Sequence, residues 1–254
     1  MPLAPIDEHQ TGYQAPGLKA LSDSAKEHGE ITIVAPSENR SGASGSLTLA
    51  NLLTVKASGE RCFVVDGTPV DCVHIALNGL LDNEPDMVIA GINSGSNLGD
   101  DVLYSGTVGA ALEGRRLAYP GVAVSLAGSE PEHYWTAGQI ASEIISELKL
   151  NPLPCRTILN VNVPDRPLEE INGYKITRLG YRKRSHPVVK INTSEDCRQY
   201  RIGTIGSAAD SGPGTDFSAV NDGYVSITPL RIDGTDHDQR EHLSDWALNL
   251  KLKS

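Results

Sequence analysis

Two Gly- and Ser-rich segments carry most of the side chains in this chain that could do chemistry. The first runs from Ala35 to Leu49 and the second from Ala90 to Arg115, and each directly follows a short, β-branched apolar run. Backbone N–H groups and hydroxyls in such loops can bind an anion or a metal, and Arg40 is a candidate partner for a phosphate. Surface loops are commonly rich in the same residue types, so a solvated loop is the alternative interpretation of each segment.

The second segment combines oxygen ligands with the predicted start of a helix. Asn93 and Asn97 offer amide oxygens, and Asp100 and Asp101 offer carboxylates. A helix N-terminus exposes free N–H groups and the positive end of the helix dipole, so it can bind a phosphate without a lysine. The residues predicted at this N-terminus are Ser105, Gly106 and Thr107. The alternative is that a hydroxyl at this position only caps the helix.

Several other chemistries lack their motifs. The chain contains no GxxxxGK[ST] loop, no GxGxxG after its first strand and no GxSxG elbow. These absences argue against P-loop nucleotide hydrolysis, hydride transfer with a dinucleotide, and α/β-hydrolase chemistry. The four cysteines include no CxxC pair, which argues against a zinc or redox site.

Charge and hydropathy restrict the partners. The chain has 32 acidic and 22 basic residues and a formal net charge of -10, which repels a long nucleic acid. A small anionic substrate still fits if the site supplies its own positive potential. The N-terminus has neither the basic nor the apolar region of a signal peptide, and no segment approaches the ~18 apolar residues of a membrane span. We therefore expect a cytoplasmic protein with no membrane partner.

The elements that must position these residues alternate between strand and helix. Helical patterns at 18–25, 70–80, 108–118 and 132–148 separate apolar runs, and this rhythm predicts a Rossmann-like, doubly wound α/β fold with a mostly parallel sheet. In such sheets, ligands bind beyond the carboxyl ends of the strands, where both polar segments lie. The predicted strands are 31–36, 62–67, 86–93, 121–126 and 156–164.

The pattern changes toward the C-terminus. We expect one domain over 1–254, in which 173–230 form an antiparallel extension with a β-hairpin and the segment 236–250 forms a terminal amphipathic helix. Exposed hairpins outside a doubly wound core usually need covering. We therefore expect the extension to pair with another subunit.

Five long strings, in order along the chain, resemble the SurE (survival protein E) family. They are VAPSENRSGASGSLTL, DGTPVDCVHIALNGL, PDMVIAGINSGSNLGDDVLYSGTVGAALEGR, ILNVNVPD and DSGPGTDFSAVNDGYVSITPL. The resemblance extends from about Gly12 to Trp246 and is loosest at 182–205. It implies a Rossmann-like core, a homodimer or homotetramer, and a Mn- or Mg-dependent phosphomonoesterase that acts on nucleoside 5'- and 3'-monophosphates. Some members of the family also shorten polyphosphate.

The resemblance also implies roles for individual residues. Ser41 of NRSG and Asn93 of GIN match metal ligands of the family, and Asn93 is then also part of the catalytic centre. The phosphate pocket of the family matches four residues here: Asn97, Ser105, Gly106 and Thr107.

The chain departs from the family pattern at its start, where the family has a strand ending in NDDG. An ungapped match places Gln10 and Thr11 at the paired aspartates, whereas a short insertion lets Asp7 and Glu8 take their place. A hard divalent cation needs carboxylate ligands, so we expect Asp7 and Glu8 to bind the metal and Asp7 to act in catalysis. The alternatives are a catalytically weakened homologue that binds a nucleotide or a protein partner, and an altered or misread start at residues 1–11.

Overall fold

The structure is a computed structural model, and it describes residues 12–38, 44–154, 156–193, 197–248 and 250. Four predicted site residues therefore lie outside the described residues: Asp7, Glu8, Arg40 and Ser41. Among the helices that the structure describes, none has both the length and the apolar character needed to cross a membrane.

Strands and helices alternate along the described chain, as the hydrophobic pattern predicts. The strands are β1 (Ile33–Pro36), β2 (Val55–Gly59), β3 (Cys62–Val65), β4 (Ile89–Ser94), β5 (Gly121–Ala127), β6 (Ile158–Pro164), β7 (Tyr174–Ile176), β8 (Tyr181–Arg182), β9 (Val189–Thr193), β10 (Arg198–Arg201), β11 (Ala208–Asp210) and β12 (Val225–Leu230). The α-helices are α1 (Pro16–Ala25), α2 (Pro69–Ile75), α3 (Gly106–Glu113), α4 (Tyr134–Leu150), α5 (Asp216–Asn221) and α6 (Arg240–Leu248). Each predicted strand and helix is present, with ends shifted by a few residues.

A five-stranded sheet in the order β4-β5-β6-β12-β7 forms the centre of the fold. The strands β4, β5 and β6 are parallel, and β12 runs antiparallel to β6 and parallel to β7. A second sheet has the order β1-β3-β2, in which β1 and β3 are parallel. This mixed but mostly parallel arrangement confirms the predicted Rossmann-like α/β class.

Helices cover both faces of the central sheet, which explains why most of the side chains in its parallel strands are apolar. On one face, α1 and α4 pack against β5 and β6, with Leu21 and Ile140 in the shared core. On the other face, α3 packs through Ala110 and Ala111 against Ile158 of β6. The helices α2, α3 and α4 each follow a strand and return along the sheet, so the loops that precede them gather at the carboxyl ends of the strands.

Within the predicted extension 173–230, the described residues form two antiparallel pairs, β8 with β11 and β9 with β10, at 181–210. The segments β7 and β12 at the two ends of the predicted range instead join the central sheet. The reason is burial: β6 needs a partner on its free edge, and Val225 of β12 is fully buried beside it. The terminal helix α6 is present at 240–248, with exposed apolar side chains at Leu243, Trp246 and Leu248.

Candidate active site

Asn93 lies near the carboxyl end of β4, the edge of the sheet at which ligands bind in doubly wound folds. Its backbone pairs with Ser125 of the neighbouring strand β5, so the sheet fixes its position. The half-buried Asn93 side chain donates from Nδ2 to the backbone oxygen of Gly95 at 2.8 Å. That bond orients the amide and leaves Oδ1 as the atom that can face a cation.

Asn97 lies four residues further on and is buried, with 7% of its surface exposed. Its Nδ2 donates to Ser125 Oγ at 2.7 Å, and its backbone N–H donates to Asn162 Oδ1 at 2.8 Å. Its backbone oxygen accepts from Asn160 Nδ2 at 2.8 Å and from Asn162 Nδ2 at 3.1 Å. Asn97 therefore ties the loop after β4 to β5 and β6, and a contact between its amide and a substrate phosphate remains a prediction.

Asn160 and Asn162 complete this network, a function that the sequence did not predict. Both are fully buried in β6, and they stand two residues apart, which places them on the same face of the strand. The sequence feature that could have indicated this role is the pair of asparagines, two residues apart, within the apolar run ILNVNVP. Buried amides need specific hydrogen-bond partners.

The predicted start of a helix at 105–107 is the N-terminus of α3. Ser105 is the N-cap residue, and its Oγ accepts from the backbone N–H of Val108 at 3.1 Å. Ser105 therefore caps the helix, and a contact between this residue and a phosphate stays a prediction. The N–H groups of Gly106 and Thr107 stand in the first turn of α3, where no intrahelical acceptor exists. Capping and anion binding are therefore compatible at this terminus.

The first polar segment meets this helix. A Cβ built on Gly109 of α3 would lie 2.8 Å from the Cα of Gly45, so the two backbones are in close contact. Asp71 of α2 fixes the next turn of the segment, because its carboxylate accepts from both the backbone N–H and the Oγ1 of Thr48, each at 2.8 Å. The segments 35–49 and 90–115 are thus in contact in the folded protein. Arg40 and Ser41 of the first segment lie outside the described residues.

The described chain also begins beside these loops. A Cβ on Gly12 would lie 2.4 Å from the backbone oxygen of Pro36 at the end of β1. A Cβ on Gly17 would lie 2.1 Å from the backbone oxygen of Ile92, next to Asn93. The close approach of both glycines explains why the string GYQAPG has glycine at its two ends.

Asp100 and Asp101 both accept hydrogen bonds from Arg182, and the guanidinium engages both carboxylate oxygens of Asp101. Asp101 forms two bonds with the guanidinium, 2.8 Å from Nε and 2.6 Å from Nη2, and Asp100 accepts from the backbone N–H of Arg182 at 2.9 Å. The Arg182 guanidinium also lies over the Phe217 ring, 4.9 Å from its centroid. Arg182 therefore holds two loops together. Within the described part of the chain, no group of three or more His, Cys, Asp or Glu side chains could hold a metal.

A His–Asp pair at the carboxyl ends of β5 and β6 was also missed. His133 Nδ1 lies 2.9 Å from Asp165 Oδ1, which also accepts from the backbone N–H groups of His133 and Glu132. Burial alone would raise the pKa of Asp165, but these hydrogen bonds outweigh it and hold the pKa below its ordinary value. The pair fixes the start of α4.

Fold and site together define a Rossmann-like α/β protein in which Asn93 and the N-terminus of α3 both lie at the carboxyl edge of the sheet. Comparison with known proteins gives the family: the sequence profile of "Survival protein SurE" matches residues 10–186, and the chain belongs to the SurE family. The resemblance stated from the sequence is thereby confirmed.

Close relatives cover nearly the whole chain. The protein named 5'-nucleotidase SurE from Methylococcus capsulatus is 53% identical over 235 residues, which are 92% of this chain and 94% of the relative. The protein of the same name from Alkalilimnicola ehrlichii is 51% identical over 94% of this chain and 93% of its own. The crystal structure of a SurE protein from Aquifex aeolicus is 37% identical, has a TM-score of 0.83, and covers 94% of this chain and 97% of that one.

Proposed function

We propose that this protein is a 5'-nucleotidase, a metal-dependent phosphomonoesterase that hydrolyses nucleoside 5'- and 3'-monophosphates. The names of relatives that share about half of their residues with this chain support the nucleotidase activity. They do not support the alternative of a catalytically weakened homologue. The observation in the structure that carries the proposal is the capped N-terminus of α3, which lies at the same edge of the sheet as Asn93.

The substrate phosphate binds at the N-terminus of α3. Ser105 holds the first turn of the helix in place through its bond to Val108. The backbone N–H groups of Gly106 and Thr107 then donate to phosphate oxygens, and the helix dipole adds positive potential in a protein of net charge -10. Asn97 keeps the neighbouring loop in position, and Arg40 adds a guanidinium for the phosphate.

Asp7, Glu8, Ser41 and Asn93 would hold a divalent cation, Mn or Mg. The described member of this set fits the task, because Asn93 Nδ2 is occupied by Gly95 and Oδ1 is the oxygen left to donate to a cation. Asn93 is neutral, so the carboxylates that a hard cation needs come from Asp7 and Glu8. Bound there, the cation polarises the phosphoryl oxygens and lowers the pKa of a water molecule.

Two further catalytic roles belong to groups of the protein itself. Asp7 orients the attacking water and accepts its proton. The N–H groups at α3 stabilise the negative charge that develops on the equatorial oxygens of the phosphoryl group. Short polyphosphate presents the same terminal phosphate and is a second substrate.

The assembly is a homodimer or homotetramer. Its contacts come from the antiparallel pairs at 181–210 and from α6, whose exposed apolar side chains need a partner. These side chains include Val189, Ile191, Tyr200, Ile202, Leu243 and Trp246. The cytoplasmic location stays a prediction from the sequence.

The test measures hydrolysis of AMP by the purified protein with Mn or Mg, with and without EDTA. We expect EDTA to abolish activity and Asn93→Ala to lower kcat/KM by about 10²-fold, as for the loss of one ligand-shell contact. The matched control is Asn151→Ala at the exposed end of α4, which should leave kcat/KM unchanged. Full activity in EDTA contradicts the mechanism.

A second measurement isolates the acidic ligands. Calorimetric titration of Mn should show tight binding by the wild-type protein and its loss in the Asp7→Ala, Glu8→Ala double variant. Equal Mn affinity in both proteins would exclude these two carboxylates.

A further inference from the structure

A cavity of about 620 Å³ lies on the side of the sheet opposite the candidate active site. Three segments line it: the chain after α3, the chain before β6 and the chain after β12. Because β12 runs antiparallel to β6 and pairs Leu230 with Ile158, its end meets the beginning of β6. The cavity therefore opens at the amino ends of the parallel strands, whereas Asn93 and α3's N-terminus mark their carboxyl ends.

Half of the residues that line this cavity are arginines. Four of the residues that line it are Arg115, Arg116, Arg156 and Arg231, and the only carboxylate among the lining residues is Asp233. A protein with 32 acidic and 22 basic residues would on average place more acidic than basic groups around any surface depression. The cavity is thus a local positive site in an acidic protein.

Few of these guanidinium groups are neutralised by the described chain. Arg115 lies 3.4 Å from Glu113 and donates from Nη1 to the backbone oxygen of Leu112 at 2.9 Å. Within the described part of the chain, the side chains of Arg116, Arg156 and Arg231 have no ion pair or hydrogen bond. The carboxylate of Asp233 is already occupied, since it accepts from Thr235 and pairs with His237 at 2.8 Å. Most of the positive charge is therefore available to a ligand.

The backbone at Arg156 is a second, independent observation. Its φ of 69° lies in the left-handed region, which residues other than glycine seldom adopt. Its backbone N–H donates to the backbone oxygen of Arg115 at 3.2 Å, which holds the segment before β6 against the end of α3. This conformation and the hydrogen bond together fix the position of Arg156 in the wall of the cavity.

We propose that this cavity binds a small anion that carries two or more linked phosphate groups. A guanidinium matches a phosphate group with two parallel hydrogen bonds, and four of them exceed what one monophosphate can engage. The volume lies within the range of small-molecule sites, about 300–1,000 Å³, and is larger than a single phosphate requires. Inorganic oligophosphate and a nucleoside polyphosphate share this chemistry, and Pro154 and Ile232 on the wall offer apolar contact to a base.

The test is calorimetric titration with sodium tripolyphosphate and, separately, with ATP, in EDTA so that metal-dependent hydrolysis does not occur. We compare the wild-type protein with the Arg116→Gln, Arg231→Gln double variant. The matched control is Arg201→Gln, an exposed arginine on β10 that does not line the cavity. Circular dichroism checks folding, and Arg231→Gln alone serves if the double variant is unstable.

We expect at least a tenfold increase in Kd in the double variant, less than a twofold change in the control, and weaker binding at high salt. Tighter binding of tripolyphosphate identifies inorganic oligophosphate as the ligand, whereas tighter binding of ATP identifies a nucleotide, and both results support the site. A binding step should remain for each probe that saturating AMP does not displace, and Ser105→Ala should retain that step.

Three results would overturn the proposal. They are no binding of either probe, binding that AMP displaces completely, and loss of binding in Ser105→Ala but not in the double variant. The last two would place the anion at the active site. If neither probe binds and the double variant changes the size of the protein in gel filtration, the arginines form a subunit contact instead.

Discussion

Asp216 accepts a hydrogen bond from the backbone N–H of Gly99 at 2.7 Å, although 117 residues separate them in the sequence. The Asp216 side chain is completely buried and also accepts from the N–H groups of Gly180 and Phe217, each at 2.9 Å. Gly99 has a φ of 54° and leads into the turn before Ser105. Asp216, in the string DSGPGTDF, therefore holds the turn before Ser105 in position, although Asp216 is not itself part of the candidate site.

Asp216→Asn should destabilise the protein and disturb the site. An asparagine replaces one acceptor oxygen with a donor, which then faces an N–H group in a buried environment, and the expected loss in the free energy of unfolding is about 2–4 kcal/mol. Urea unfolding measures this loss, and AMP hydrolysis should show a lower kcat/KM. Asp222→Asn, on the exposed end of α5, should change stability by less than about 1 kcal/mol; a similar effect of both variants would contradict the assignment.

Asp71 should make stability dependent on pH. Burial alone would raise its pKa, but hydrogen bonds from Thr48 and Thr68 outweigh burial and lower the pKa below its ordinary value. Asp71 therefore stabilises the folded state above about pH 4, the range of a free aspartate, and this contribution is lost as the pH falls through the folded pKa.

Asp71→Asn should remove that contribution, with a loss of about 2 kcal/mol at pH 7 and a shallower loss of stability below pH 4. Chemical unfolding at a series of pH values measures both effects. The exposed Asp82 provides the control variant Asp82→Asn. Parallel curves for Asp71→Asn and the wild type would show that Asp71 does not titrate with unfolding.

Ser105→Ala removes the cap of α3, which should cost about 1 kcal/mol of stability. The first turn then loses its fixed geometry, so we expect kcat/KM for AMP to fall by about tenfold or more. Ser105→Thr keeps an oxygen that can accept from Val108 and should restore most of both properties. If Ser105→Ala kept the kcat/KM of the wild-type protein, the cap would not be needed for phosphate binding.

Gly17→Ala should move α1 away from β4. Its Cβ would lie 2.1 Å from the backbone oxygen of Ile92, a distance that requires one of the two backbones to shift. We expect a loss of about 2–3 kcal/mol and a lower kcat, because Asn93 is the next residue after Ile92. Gly79→Ala, where no atom lies within 4 Å of the new Cβ, should leave both properties nearly unchanged in thermal unfolding and AMP assays.

The sequence by itself determined the core of the fold and the identity of the family. Periodicity located every strand of the parallel set and the helices between them, because strands buried on both faces must be continuously apolar. The order of five strings gave the resemblance to SurE, and the rule for doubly wound sheets placed Asn93 and Ser105 at one edge.

Only the tertiary structure decided which polar residues serve as supports. In the sequence, Asp101 is a carboxylate that could serve as an oxygen ligand. In the structure, the guanidinium of Arg182, 81 residues away along the chain, donates to that carboxylate. Asp216 and Asn162 act on loops distant in sequence, and the arginine cavity gathers three separate segments. The physical reason is that hydrophobic periodicity is a local property, whereas the partner of a buried carboxylate, amide or guanidinium depends on which distant segments the packed sheet brings together.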